Sequence, residues 1–235
     1  MTKKLLHVLL MGSLTLVPHP NNADADERAG LLPQVTAYVK SRCSEFEQIP
    51  SERRAHLEEL ARYVKLGRSA REPVKLIFIC THNSRRSHLS QLWASAAAAH
   101  YRIKGVECYS GGTERTAFNS RAIVALERAG FVIEQGAAHP NNPHYKVVFA
   151  SGMEPLVCYS KAYDSEPNPT SNFCAVMTCS HADTNCPIVR GASHRVRLTY
   201  EDPKIADGTH EEARTYDERC AQIAREMLFA FSLAE

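Results

Sequence analysis

Hydrophobic and polar positions fall into blocks whose period changes along the chain. Between Leu32 and Leu66 the period is helical. Ser51-Glu52-Arg53-Arg54 is followed by Leu57, Leu60, Ala61 and Val64, an apolar stripe at i, i+3, i+4 and i+7. Two helices are therefore expected over 33–46 and 51–66, separated by Ile49-Pro50. Such a hairpin packs its stripe on a neighbouring domain, and nothing in it resembles a site. The polar stretch 67–72 reads as a linker.

The pattern then switches. Val74-Lys75-Leu76-Ile77-Phe78-Ile79 is a near-continuous, β-branched apolar run of the kind found in a buried parallel strand. Residues 87–101 are alanine-rich and helical, and 106–110 form a short strand ending at Gly111-Gly112. A helix is expected over 119–130 with Gly130 as its stop. A short strand follows at 131–133, and a hairpin at 147–149 and 156–159. Further strands are expected at 173–178 and 196–199, and a last helix over 210–231. Strands alternating with helices argue an open α/β fold, a mainly parallel sheet covered by helices on both faces, with an N-terminal helical extension. The expected division is a leader-like segment 1–29, a helical hairpin 30–70 and a catalytic domain 71–235.

The leader-like segment sets Lys3 and Lys4 ahead of an apolar run from Leu5 to Val17, interrupted by His7. That run is too short to span a bilayer. With Ala23-x-Ala25 as a cleavage site it has the layout of a secretory signal. Export after cleavage near Ala25 and retention in the cytoplasm are the two readings. The thiol chemistry argued below needs reducing equivalents and favours the cytoplasm.

Composition narrows the function. Of 235 residues, 44% are hydrophobic and 23% charged, enough apolar surface for a sizeable core. Lysine plus arginine number 28 against 26 aspartates and glutamates, so a net charge of +2 leaves no broad basic field for nucleic acid. Eight cysteines are the unusual feature. A chain this long needs no disulfide staples, so those thiols point to chemistry or to metal.

One cysteine stands where chemistry is expected. The buried strand ends in Cys80-Thr81-His82-Asn83-Ser84-Arg85-Arg86-Ser87, and a helix begins directly afterwards. In open α/β sheets ligands bind beyond the carboxyl ends of strands. Backbone N–H groups in such a turn, with the positive end of the next helix, make a concave anion cradle. The same field favours the Cys80 thiolate. Arg86 can return to the cradle and grip two oxygens of a tetrahedral anion. Arg85 adds charge at the mouth, and His82 either tunes the anion or serves as filler.

A second pair of thiols follows a buried strand, in Cys179-Ser180-His181-Ala182-Asp183-Thr184-Asn185-Cys186-Pro187. On a helix, residues seven apart face the same side with Cα atoms about 10 Å apart. A disulfide needs less than about 7 Å. The pair can bond only if the segment unwinds, which makes it a poor staple and a suitable redox switch.

These two motifs carry a resemblance. Residues 74–87 are similar to the phosphate-binding loop of the low-molecular-weight protein tyrosine phosphatase superfamily, which also contains the thioredoxin-coupled arsenate reductases. Thr81, Asn83, Ser84, Arg86 and Ser87 match the reductase form of the loop. Cys-Ser-x-Ala-Asp-x-Asn-Cys-Pro matches the reductases' second thiol pair, with His181 the main departure. The resemblance runs from about Val74 to the carboxyl terminus, and residues 138–171 have no clear counterpart. It implies a four-stranded parallel sheet and an oxyanion cradle formed by Thr81, His82, Asn83, Ser84, Arg85, Arg86 and Ser87. It also implies a proton donor, Asp202, in Tyr200-Glu201-Asp202-Pro203; without the resemblance, Asp-Pro is a common turn. The implied activity is reduction of arsenate to arsenite. Cys80 is the nucleophile, Cys179 and Cys186 form the final disulfide, and thioredoxin is the external reductant with no bound cofactor.

The alternative is a phosphatase that hydrolyses phosphomonoesters through a Cys80 phosphocysteine. It would use Cys80, Arg86 and Asp202 identically and leave Cys179 and Cys186 idle. Against it, Lys204-Ile205-Ala206 follows Asp-Pro in place of aromatic residues that would wall a substrate ring, although weak phosphatase action is still expected. A zinc site of Cys174, Cys179, His181 and Cys186 lacks a tight Cys-x2-Cys pair, so no metal is expected. Relatives bind potassium through an asparagine, a glutamate and a serine; Asn83 and Ser110 match, but Gln91 replaces the acid. Cys43, Cys108, Cys158 and Cys220 read as small buried hydrophobes. The stretch from Tyr145 to Tyr163, with Lys146 and Lys161, reads as surface decoration.

Overall fold

A computed structural model of the chain describes residues 30–68, 73–136, 139–186 and 188–235. The leader-like segment with Ala25, the linker residues 69–72, residues 137 and 138 and Pro187 lie outside the described residues. Two helices open the described chain, α1 (Pro33–Cys43) and α2 (Ser51–Gly67), joined by a 3₁₀ turn at Phe46–Gln48. They correspond to the expected hairpin, with α1 ending three residues earlier because Ser44 to Gln48 tighten into turns.

The strands are β1 (Val74–Cys80), β2 (Val106–Gly112), β3 (Val132–Gln135), β4 (Tyr145–Val148), β5 (Leu156–Cys158), β6 (Phe173–Met177) and β7 (Ala192–Arg197). Between and after them run α3 (Arg86–His100), α4 (Ser120–Arg128), α5 (Ser180–Asn185) and α6 (Glu212–Ala234). The main sheet has four parallel strands in the order β2-β1-β6-β7. Its central strand β1 is buried on both faces, which is why its sequence is a continuous apolar run.

Side chains of successive strand residues point to opposite faces, and the core divides accordingly. Leu76, Phe78, Cys174, Val176 and Val196 join the larger cluster with Trp93, Tyr216 and Phe231. Ile77, Ile79, Phe173, Ala175 and Met177 join a smaller one with Cys80, Cys179, Ala182 and Val189. The hairpin belongs to the larger cluster. Leu57, Leu60 and Val64 on α2 are fully buried there, each worth about 2 kcal/mol relative to exposure. Both helices pack on α6. Arg53 of α2 reaches Glu226 of α6 at 2.7 Å, and its guanidinium lies 4.5 Å from the centre of the Tyr200 ring.

Helix α4 starts where Asn119 Oδ1 accepts from the N–H groups of Arg121 and Ala122. It stops at Gly130, whose φ of +102° suits glycine and whose Cβ would lie 2.6 Å from Gln34 Cβ. The expected hairpin forms as β4 and β5, but it is part of a separate antiparallel sheet, β3-β4-β5. Strand β3 extends to Gln135, over exposed Glu134 and Gln135 that lack any apolar alternation. Pairing with β4, not burial, makes this segment a strand. Likewise β7 begins at Ala192 rather than Val196, because it pairs with β6 from Phe173 onward. Among the described residues no helix is long and apolar enough to cross a membrane.

Candidate active site

Strand β1 ends at Cys80, 3% exposed, and α3 begins at Arg86, so the expected turn occupies residues 81–85. No main-chain N–H from His82 to Ser87 has an acceptor among the described residues. Orphan donors at the start of a helix, backed by its dipole, make an anion site. Asn83 adopts a φ of +43°, the left-handed turn that folds the loop back on itself. The end of β2 approaches closely: a Cβ on Gly112 would sit 2.7 Å from both Asn83 N and Thr81 O. That position requires glycine.

Inside the loop a chain of hydrogen bonds ends on Cys80. Asn83 Oδ1 accepts from the Lys161 N–H at 2.9 Å, which fixes the amide's orientation. Its Nδ2 then donates to Ser87 Oγ at 2.9 Å. Ser87 has one hydrogen left to give, and Cys80 Sγ lies 3.1 Å away. The Ser160 hydroxyl donates to His82 O at 2.9 Å, and the Thr116 hydroxyl donates to the same oxygen at 3.1 Å. The stretch expected to be decoration therefore braces the loop through Ser160 and Lys161. No motif signals these two residues, because Lys161 acts through its main-chain N–H, Ser160 through a lone hydroxyl, and both come from a distant segment.

The two arginines turn toward Asp202. Arg86 Nη2 donates to Asp202 Oδ2 at 2.7 Å and its Nη1 to Tyr200 O at 2.9 Å, while its Nε is buried without a partner. Arg85 Nε donates to Asp202 Oδ1 at 2.8 Å. Asp202 also caps a 3₁₀ turn at Pro203–Ala206, accepting from Lys204 N at 3.1 Å. Burial raises the Asp202 carboxyl, but the Arg85 hydrogen bond and the Arg86 and Arg85 charges outweigh it and leave its pKa lowered. Arg85, expected at the mouth, instead clamps this carboxylate.

Cys179 and Cys186 flank α5 as its N-cap and C-cap. Cys179 is 1% exposed, its Sγ accepts from Ala182 N at 3.3 Å, and it touches Thr81 Oγ1 at 3.4 Å. The same Thr81 oxygen contacts His181 Nδ1 at 3.2 Å. Cys186 is half-buried and packs against the smaller core cluster, the one that contains Cys80 and Cys179. Asp183 anchors α5 to β7 through Arg195 at 2.5 Å and Arg197 at 3.0 Å.

The remaining thiols lie elsewhere. Cys158, Cys174 and Cys220 are in the larger cluster, with Cys43 and Cys108 half-buried against it. Cys174 is on β6 but faces away from Cys179, and burial pushes its pKa up. Among the described residues, no three His, Cys, Asp or Glu side chains gather to hold a metal. At the potassium positions, Asn83 Oδ1 accepts from the Lys161 N–H and Gln91 Nε2 donates to Cys108 O, while Gln91 Oε1 and Ser110 Oγ are buried without a partner among the described residues. His82 is exposed, its ring 3.6 Å from Glu114. Ser84 contributes its carbonyl to Asn119 N at 2.9 Å.

Comparisons with known proteins bear on the same region. The family model described as low molecular weight phosphotyrosine protein phosphatase matches residues 75–148. Arsenate reductase 2 of Staphylococcus haemolyticus is 30% identical over 130 residues, 54% of this chain and 77% of that protein. Arsenate reductase 2 of Staphylococcus epidermidis is 29% identical over 130 residues, with the same shares of 54% and 77%. The crystal structure of a low molecular weight phosphotyrosine phosphatase from Vibrio cholerae O395 is 14% identical, with a TM-score of 0.43, and the match covers 68% of this chain and 94% of that one.

Proposed function

The chain belongs to the low-molecular-weight phosphotyrosine protein phosphatase superfamily, and we propose that within it this enzyme reduces arsenate to arsenite through Cys80, Cys179 and Cys186. One observation supports the relay above the others. These three thiols share the smaller core cluster on one face of the sheet, and the other five associate with the larger cluster.

The steps follow from the arrangement. Arsenate enters the loop, where the orphan N–H groups and the Arg86 guanidinium hold its oxygens. It competes with Asp202 for Arg86. As that pair loosens, the carboxyl becomes able to hold the proton it donates. Cys80 thiolate attacks arsenic; an As–S bond forms, one As–O bond breaks, and the oxygen leaves as water with the Asp202 proton. Cys179 thiolate then attacks Cys80 Sγ. The S–S bond forms, the As–S electron pair stays on arsenic, and As(V) departs as As(III). Cys186 attacks Cys179 Sγ and frees Cys80 as thiolate, leaving a Cys179–Cys186 disulfide.

That last bond requires α5 to open, which a six-residue helix does readily. An external dithiol, thioredoxin, reduces the disulfide by exchange. A relay reset this way suits a reducing compartment such as the cytoplasm.

Phosphatase action is the second reading. Cys80, Arg86 and Asp202 lie at one loop and suffice for it without the second thiol pair.

Arsenate-dependent NADPH oxidation with thioredoxin and its reductase tests the proposal. The parent turns over repeatedly. Cys186→Ser releases one arsenite per chain and traps a Cys80–Cys179 disulfide visible by mass spectrometry. If parent and variant hydrolyse an aryl phosphate equally and neither reduces arsenate, the relay is wrong and the phosphatase reading stands.

A further inference from the structure

Next to the braced loop is a cavity of about 750 Å³ whose wall includes Arg115, His139, His144, Tyr159, Lys161 and Glu166. That volume lies within the range of small-molecule sites. Lys161 is only 6% exposed, and its Nζ sits 4.7 Å from the centre of the Tyr159 ring. His144 stacks on the same ring at 3.9 Å, and His139 lies 4.8 Å from His144.

A buried ammonium normally has a carboxylate partner, since desolvation of an unpaired charge costs several kcal/mol. Among the described residues no carboxylate pairs with Lys161 or with Arg115. The nearby thiol does not supply the charge either. Cys158 is 1% exposed and burial pushes its pKa up to about 12, so it stays neutral. Burial correspondingly lowers the Lys161 pKa. Glu166 is exposed, and its carbonyl accepts from the Tyr159 hydroxyl at 3.3 Å.

We propose that this cavity is a second anion site, separate from the Cys80 cradle, which takes a small organic anion bearing two or more carboxylate or phosphate groups. Lys161 and Arg115 provide two fixed positive charges on its wall, hence the preference for a multivalent ligand. The Tyr159 and His144 rings add apolar surface and polar edges. The site abuts the catalytic loop, since the Lys161 N–H holds Asn83 and the Ser160 hydroxyl holds His82 O. It does not depend on whether the enzyme is a reductase or a phosphatase.

Calorimetric titration of the full chain with citrate and with pyrophosphate tests the site. At least one probe is expected to bind; tighter citrate marks a carboxylate ligand, tighter pyrophosphate a phosphate ligand. Lys161→Met weakens that probe about tenfold or more, the loss of one close charge pair. Arg115→Ala, at an exposed side chain with no role in the core, weakens it by about threefold and decides the matter should Lys161→Met fail to fold. Arg86→Met leaves the affinity unchanged. Absence of binding by both probes at millimolar concentration overturns the proposal. So does affinity that is lost with Arg86→Met and retained with Lys161→Met, which would put the anion in the cradle.

Discussion

Asp202 Oδ2 lies 2.7 Å from Arg86 Nη2, so the carboxyl proposed as the proton donor is ion-paired with the guanidinium proposed to hold the oxyanion. Arg86 Nη1 goes instead to Tyr200 O, and Arg86 Nε has no partner among the described residues. Arg85, on the other carboxylate oxygen at 2.8 Å, reinforces the pair.

A pH dependence follows. Burial raises the Asp202 pKa, the two arginines lower it by more, and the net value falls below that of a free carboxyl. Proton donation requires the acid form, which is lost as pH rises through this pKa, so the depressed value places the descending limb at low pH. Arg85→Met removes two hydrogen bonds and one charge. The descending limb of kcat/KM for p-nitrophenyl phosphate is expected to move to higher pH. A limb that stays in place assigns the proton to another group.

Cys174 separates position in sequence from position in space. It lies five residues before Cys179 but on the opposite face of β6. Cys174→Ala is expected to leave arsenate turnover unchanged and to cost about 1 kcal/mol in urea unfolding, as a small truncation in a packed core does. Cys179→Ala abolishes arsenate turnover. Loss of turnover in a stably folded Cys174→Ala would bring the far face of the sheet into the relay.

Asp183 ties α5 to β7. Its ion pairs with Arg195 and Arg197 fasten the segment to β7, and the proposed Cys179–Cys186 bond would require that segment to unwind. Asp183→Asn is expected to speed formation of this disulfide under a mild oxidant by severalfold, measured by alkylation and mass spectrometry. An unchanged or slower rate would mean that the bond forms without release from β7.

Arg53 and Glu226 join the amino-terminal hairpin to the last helix. The pair is 2.7 Å apart, with Arg53 16% and Glu226 2% exposed. Removing one partner leaves a buried charge alone, so Arg53→Met and Glu226→Gln each cost about 3 kcal/mol. The double variant is expected to cost about 1–3 kcal/mol less than the sum. Additive losses in denaturant unfolding would show that the two side chains do not interact.

The strand, loop and helix around Cys80 were legible because their information is local. An apolar β-branched run, a short polar turn and an alanine-rich helix are each set by backbone and side-chain preferences within a few residues. The helix between Cys179 and Cys186 was legible in the segment itself, but both cysteines cap it in non-helical backbone rather than sharing one of its faces. Asp202 was identified by resemblance, because Asp-Pro by itself marks only a turn.

Tertiary structure decided what those residues meet. The Arg85 contact with Asp202 spans 117 residues, and that of Asn83 with Lys161 spans 78. No periodicity encodes either contact, because both depend on how separate elements pack. The same holds for the extension of β3 over exposed Glu134 and Gln135, which comes with its pairing to β4. The count of eight cysteines came from the chain, but their division came from the sheet. Strand alternation and helix placement put Cys179 and Cys186 with Cys80 at the smaller cluster and left five thiols against the other.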